Sequence, residues 1–119
     1  MLLQLDYKDS RPIYEQISDG CRKLILAGVL APDEPMPSVR SMAMELSTNP
    51  NTVQKAYAEL ERQGVIYTVK GRGNFVSGDL KAPLGARKAE LREKIAMLLK
   101  EADELGIDRN ELLEGMVKK

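Results

Sequence analysis

A helix that ends near Ser47 and another that begins at Asn49-Pro50 leave almost no connecting residues between them, and that spacing limits the fold more than any other feature of this chain. Val39, Met42, Ala43 and Leu46 recur at i, i+3, i+4 and i+7, which is one buried face of a short helix. Val53, Ala56, Tyr57 and Leu60 repeat the spacing. Asn49 is suited to cap the second helix, and Pro50 fits the first helical position, where its missing N–H costs nothing. Ser38 is suited to cap the first helix, and Gly64 to end the second.

What flanks this pair extends the pattern. Ile13, Ile17, Cys21, Leu24 and Ile25 lie on one face of an earlier helix. Pro12 suits its first turn, with Ser10 or Arg11 as N-cap, and Gly28 is a C′ stop with Pro32 beyond. Segment 28–38 (GVLAPDEPMPS) holds three prolines and cannot be helical. Residues 2–5 (LLQL) suit an edge strand or a packed arm. After Gly64 the period changes: 65–69 (VIYTV) is β-branched and aromatic, 70–73 (KGRG) is a turn, and 74–77 (NFVS) reads as a return strand. The expected fold class is mainly α with a small β-hairpin: a winged helix-turn-helix over 1–78, then a linker and helical dimerisation tail over 79–119.

The tail starts from a second break, 77–85 (SGDLKAPLG). Leu91, Ile95, Leu98, Ala102 and Leu105 then step by four and three, a heptad-like seam. Gly106 stops that helix, and Asp108 with Glu111 resembles a capping box opening a last helix with Leu112, Leu113, Met116 and Val117 on its apolar side. Helices of roughly 19 and 10 residues are marginal alone. The seam therefore predicts a homodimer, a second copy being the simplest partner.

Composition removes rival chemistries. The chain has 119 residues, no His and one Cys. Neither a Cys/His zinc site nor a Ser-His-Asp or Cys-His arrangement can be built. No metal, cofactor or enzymatic activity is expected; a small-molecule effector is neither indicated nor required. No apolar run nears the roughly 20 residues that span a bilayer, and the N-terminus lacks the basic start of a signal peptide. A cytoplasmic location without a membrane partner is the expectation. The 18 basic and 18 acidic residues cancel. Over 38–77 five bases outnumber three acids, so any nucleic-acid surface must come from placement.

Placement points to double-stranded DNA. A helix in the major groove needs small polar or basic side chains on the exposed face of its N-terminal half. Asn51, Thr52 and Lys55 occupy those positions, with Asn49 at the cap and Gln54 near the edge. The start of that helix is also expected to offer free N–H groups to a phosphate. Arg40, beside Ser38, is placed to clamp a phosphate. The tip, Lys70, Gly71, Arg72 and Gly73, combines charge with glycines that allow φ > 0 and a close approach to the backbone or minor groove. Blander roles compete: solvated charge for Arg40 and Lys55, and a plain hairpin turn for 70–73. Glu59 and Glu61 fall near the helix end, away from phosphates. Cys21 reads as a small core residue rather than a redox sensor. Tyr57 and Phe75 fall at inward positions, which favours packing over base stacking.

These residues resemble the DNA-binding domain of GntR-family transcription regulators. Pro37, Ser38, Arg40 and Ala43 match its first motif, Thr52, Val53, Ala56 and Leu60 its second, and Gly71, Gly73, Phe75 and Val76 its third. Segment 12–17 (PIYEQI) matches its first helix. The resemblance covers about residues 5–78. It implies contacts from Arg40, from Asn51 and Thr52, and from Arg72 and Gly73. Asn49-Pro50 replaces the Ser-Arg of many members, so no base preference transfers. Segment 49–57 (NPNTVQKAY) and the short tail resemble the YtrA-type branch. The resemblance implies a homodimeric repressor on a two-fold related operator; a winged helix that docks proteins without binding DNA is the alternative.

Overall fold

The computed structural model describes residues 3–117. Helix α1 is Ile13–Leu26, α2 Val39–Leu46 and α3 Pro50–Arg62; strands β1 (Ile66–Val69) and β2 (Gly73–Val76) follow, then α4 (Lys81–Glu104) and α5 (Arg109–Leu112). The chain divides into two compact units, one through Leu84 and one from Gly85.

Local chemistry sets the ends of the first three helices. Pro12 itself is the N-cap of α1, one or two positions later than Ser10 or Arg11. The preceding residues are held otherwise: the Asp9 carboxylate accepts the Arg11 N–H, and the Gln16 amide donates to the carbonyls of Asp6 and Arg11. Gly28 closes α1 at φ 81°, its N–H reaching the Ile25 carbonyl while the Val29 N–H reaches Leu24. Ser38 caps α2 by accepting the Ser41 N–H at 3.0 Å. Ser47 adopts φ 51° at the end of α2, which lets the Thr48 N–H bond the Ala43 carbonyl. The chain thereby reverses into α3 within three residues.

These helices bury one core. Ile17, Cys21 and Ile25 of α1, Met42 and Ala43 of α2, and Val53, Ala56, Tyr57 and Leu60 of α3 meet Val65, Ile66 and Val76 of the hairpin. Leu3 and Leu5 pack on it as an arm, not a strand; Leu2 lies outside the described residues. Burial pushes the Cys21 thiol up to about 12, so it is a protonated core group.

The hairpin pairs Ile66 with Val76 and Tyr67 with Phe75. Val76 points inward, so by strand alternation Phe75 cannot. Phe75 is half-buried on the outer face and stacks on Tyr67 with ring centres 5.6 Å apart, which corrects its inward placement. The proline-rich segment also joins the sheet. The Met36 N–H donates to the Asn74 carbonyl, and Val76 donates to Glu34, so Pro35 bridges Phe75 on the free edge of β2. Proline suits an outermost strand because its missing donor is not needed there.

The second break is mostly helix. Helix α4 starts at Lys81 and runs through Pro83 and Gly85. Pro83 falls in the first turn, where amides have no intrahelical partner. The helix has 24 residues rather than 19, and α5 has 4 rather than 10; it ends at Leu112, with the backbone turning beyond it at Gly115, φ 75°. Asp108 caps α5 through the N–H groups of Asn110 and Glu111. Gly106 reverses the chain so that the Ile107 N–H bonds the Ala102 carbonyl.

Candidate nucleic-acid interface

One face of α3 is fully committed to the core, which decides what the other face can do. Asn51, Gln54, Lys55 and Ala58 form the exposed stripe, and Thr52 is half-buried beside it. Gln54 belongs on this stripe as fully as Asn51; its spacing of three from Asn51 was the available signal.

The start of α3 does not offer free amides, contrary to expectation. Pro50 has none. The Asn49 side chain accepts the Asn51 N–H at 2.7 Å, and the Asn49 carbonyl takes those of Thr52 and Val53. A cap good enough to start the helix has consumed the donors a phosphate would use, and with them the acceptor atom of Asn49. Free amides stand instead at the start of α2. Ser38 takes only the Ser41 N–H, and those of Val39 and Arg40 bond no protein group. The exposed Arg40 side chain stands beside them.

Two bonds tie the pieces together. The buried Tyr57 of α3 donates its hydroxyl to the Pro37 carbonyl at 2.8 Å, fixing α3 against the entrance to α2. Burial raises the Tyr57 pKa, so the hydroxyl stays a donor. The Met36-to-Asn74 bond fixes the base of the wing to the same segment. The wing tip turns on Gly71, φ 81°, with the Arg72 N–H bonding the Val69 carbonyl at 2.9 Å. Gly73 has φ 118°, and a Cβ at either glycine would meet open space, so backbone conformation is the reason for glycine here. Lys70 and Arg72 are exposed. Tyr67 donates to Asp33 at 2.9 Å and Thr68 bonds both Glu61 and Asn74, bracing the wing.

Charge is sorted. Arg11, Arg22 and Lys23 share Asp19, and Arg62 pairs with Glu59. The Arg62 guanidinium holds the Glu59 carboxyl at about 2, well below the usual range. Among the described residues, no carboxylate lies within ion-pair distance of Arg40, Lys55, Lys70 or Arg72. The Lys55 ammonium instead lies 4.0 Å from the centre of the Tyr14 ring on α1. That cation–π contact joins residues 41 positions apart, which helical periodicity could not reveal.

The tail holds the other candidate residues. Leu91, Ile95, Leu98, Leu105, Leu112 and Met116 are exposed, and Leu113 is half-buried. Ala102 differs: it is 3% exposed within the single chain. The described residues contain no group of His, Cys, Asp and Glu able to hold a metal, and no helix long and apolar enough to cross a membrane.

Known proteins share this arrangement. Residues 13–76 match the family described as bacterial regulatory proteins, gntR family. The HTH-type transcriptional repressor YtrA of Bacillus subtilis is 40% identical over 114 residues, 95% of this chain and 88% of that one. A GntR family transcriptional regulator from Listeria monocytogenes superposes with a TM-score of 0.78 at 33% identity, covering 92% of this chain and 94% of the other. The DNA-binding domain of AraR in complex with operator ORE1 superposes with a TM-score of 0.56 at 27% identity, over 65% of this chain and 94% of that domain.

Proposed function

The chain belongs to the GntR family of bacterial regulatory proteins, and from that premise we propose that it is a cytoplasmic, homodimeric repressor that reads a two-fold related operator. DNA-binding transcription regulation follows from the family. Repression, dimerisation and the residue roles go beyond the family. Residues 1–78 serve as the DNA-binding domain and 79–119 as the dimerisation tail.

Helix α3 enters the major groove, with Asn51 and Thr52 reading base edges and Lys55 adding a phosphate or guanine contact. Arg40, with the free amides that Ser38 leaves beside it, clamps a phosphate. Lys70 and Arg72 lie along the neighbouring backbone, which Gly71 and Gly73 let approach closely. Asn49 keeps its amide donor for DNA, its acceptor being spent on the cap. Two copies would address half-sites about one helical turn, or a small multiple, apart. The observation that carries this reading is the placement of charge: Arg40, Lys55, Lys70 and Arg72, on α2, α3 and the wing, have no ion-pair partner among the described residues, whereas Arg11, Arg22, Lys23 and Arg62 are paired. AraR, a relative by fold, is known bound to its operator.

Fragments selected from random duplex DNA provide the operator, and fluorescence anisotropy across a salt series measures affinity. Arg40→Ala should lower affinity for every duplex, about tenfold, with a shallower salt slope. Asn51→Ala should instead relax preference at one base position, by about 1–3 kcal/mol. Undiminished binding by Arg40→Ala would remove the clamp. Failure of the parent chain to bind duplex DNA at low salt would favour a protein-docking role. A reporter promoter overlapping the selected site should be silenced by the chain; an unchanged or raised signal rules out repression.

A further inference from the structure

The charges of α4 are arranged against its own dipole. Lys81 stands in the first turn, and Glu101, Asp103 and Glu104 stand in the last; within the helix no acid opens it and no base closes it, although Asp79 just ahead of it accepts the Lys81 N–H. Helices favour the opposite distribution, so this pattern costs the isolated helix stability. Arg109 answers one of those acids, Asp103. Glu101 has no ion-pair partner among the described residues.

The charges next to the apolar seam are sorted more sharply. With Leu91, Ile95, Leu98, Ala102 and Leu105 as the seam, Lys88 extends its line at the basic end, and the charged flanking positions are Arg87, Arg92 and Lys94 toward the start and Glu101 toward the end. Glu90, Glu93, Lys100, Asp103 and Glu104 fall on the outer side. The seam is not closed by α5. Ile95, Leu98, Leu105, Leu112 and Met116 line an open apolar groove of about 620 Å³ with Ala102 at its floor.

We infer that two copies of this chain pair through α4 in antiparallel orientation, with Lys94 of each copy facing Glu101 of the other. The inference rests on the dimer proposed above and adds its direction. With the seams fully overlapped, Leu91 meets the Ala102 layer of the second copy and Ile95 meets Leu98, which brings Lys94 and Glu101 together twice by symmetry. Antiparallel pairing also sets each basic half against an acidic half and opposes the two dipoles. A parallel pair would do the reverse. Lys94 would face Leu99, Glu101 would face Gly106, and Arg87 would face Arg92, a like-charge contact.

Sedimentation equilibrium of the full chain at low and high salt tests this. Lys94→Glu and Glu101→Lys should each weaken the dimer by roughly tenfold at low salt, since each creates two like-charge contacts. The double variant should return to the parent dissociation constant, and the single defects should fade at high salt. A dimer indifferent to both single changes, or a double variant weaker than either, overturns the antiparallel pairing. A monomeric parent chain overturns the dimer itself, an outcome read from mass alone.

Discussion

The two units treat their apolar residues in opposite ways. The unit through Leu84 seals Ile17, Ile25, Val53, Tyr57 and Leu60 inside itself and leaves Arg40, Lys55, Lys70 and Arg72 unpaired on its surface. The unit from Gly85 buries little besides Ala102 and exposes Leu91, Ile95, Leu98, Leu105, Leu112 and Met116; of its cations Arg87 and Arg109 are paired, and among the described residues Lys88, Arg92, Lys94 and Lys100 are not. A unit that hides its apolar surface and displays charge is complete as a fold and equipped for a polyanion. A unit that displays apolar surface has stability still to gain, and a second copy can supply it.

The sharpest way to break this contrast is to cut the same side-chain volume from each unit. Leu60→Ala should cost about 3 kcal/mol of unfolding free energy in denaturant titrations, because a fully buried leucine leaves a cavity. Leu98→Ala should cost a monomer well under about 1 kcal/mol, since Leu98 is 63% exposed. If Leu98→Ala unfolds the chain as severely as Leu60→Ala at protein concentrations too low for dimers, the tail is no less self-sufficient than the first unit.

A smaller effect sharpens the charged side of the comparison. Tyr14→Leu removes the ring beneath Lys55 and should weaken duplex binding by about 0.5–1 kcal/mol, with Tyr14→Phe keeping it. Equal losses in both variants would assign the effect to the hydroxyl instead.

The smallest effect concerns the paired charges. The Glu59 carboxyl lies at about 2 in the folded chain, below its unfolded value, because Arg62 and Gln63 donate to it. Its contribution is therefore present above about pH 4.5 and lost as pH falls toward 2. Glu59→Gln should lower stability at neutral pH by up to about 1 kcal/mol, a ceiling set by its exposed partner, and by almost nothing near pH 2. A difference that persists undiminished at pH 2 would contradict the pairing.

Much of the first unit was legible because its signals are local. Caps at Ser38 and Asn49, the stop at Gly28, and the glycines of the wing act on amides within a few positions. The misread details involve distant partners or choices between equal local options. Strand alternation allowed either Phe75 or Val76 inward, and packing against Ile66 and Val65 chose Val76. Nothing near Pro83 distinguishes a linker from a first helical turn; Leu80 packing on the core and the Asp79 carboxylate accepting the Lys81 N–H settle it.

The sequence by itself determined the order of elements, the tight turn at 47–49, the wing and the amphipathic faces, since each follows from residues within one or two turns of each other. Only the tertiary structure decided that Pro35 would join the sheet, that Tyr57 would bind the Pro37 carbonyl, that Tyr14 would lie under Lys55, and that Ala102 would be covered. The lack of free amides at α3 is, by contrast, local: Asn49 satisfies the amides of its own helix. The reason is physical: periodicity says which face of an element is apolar, whereas the identity of the facing atom depends on how separate elements pack.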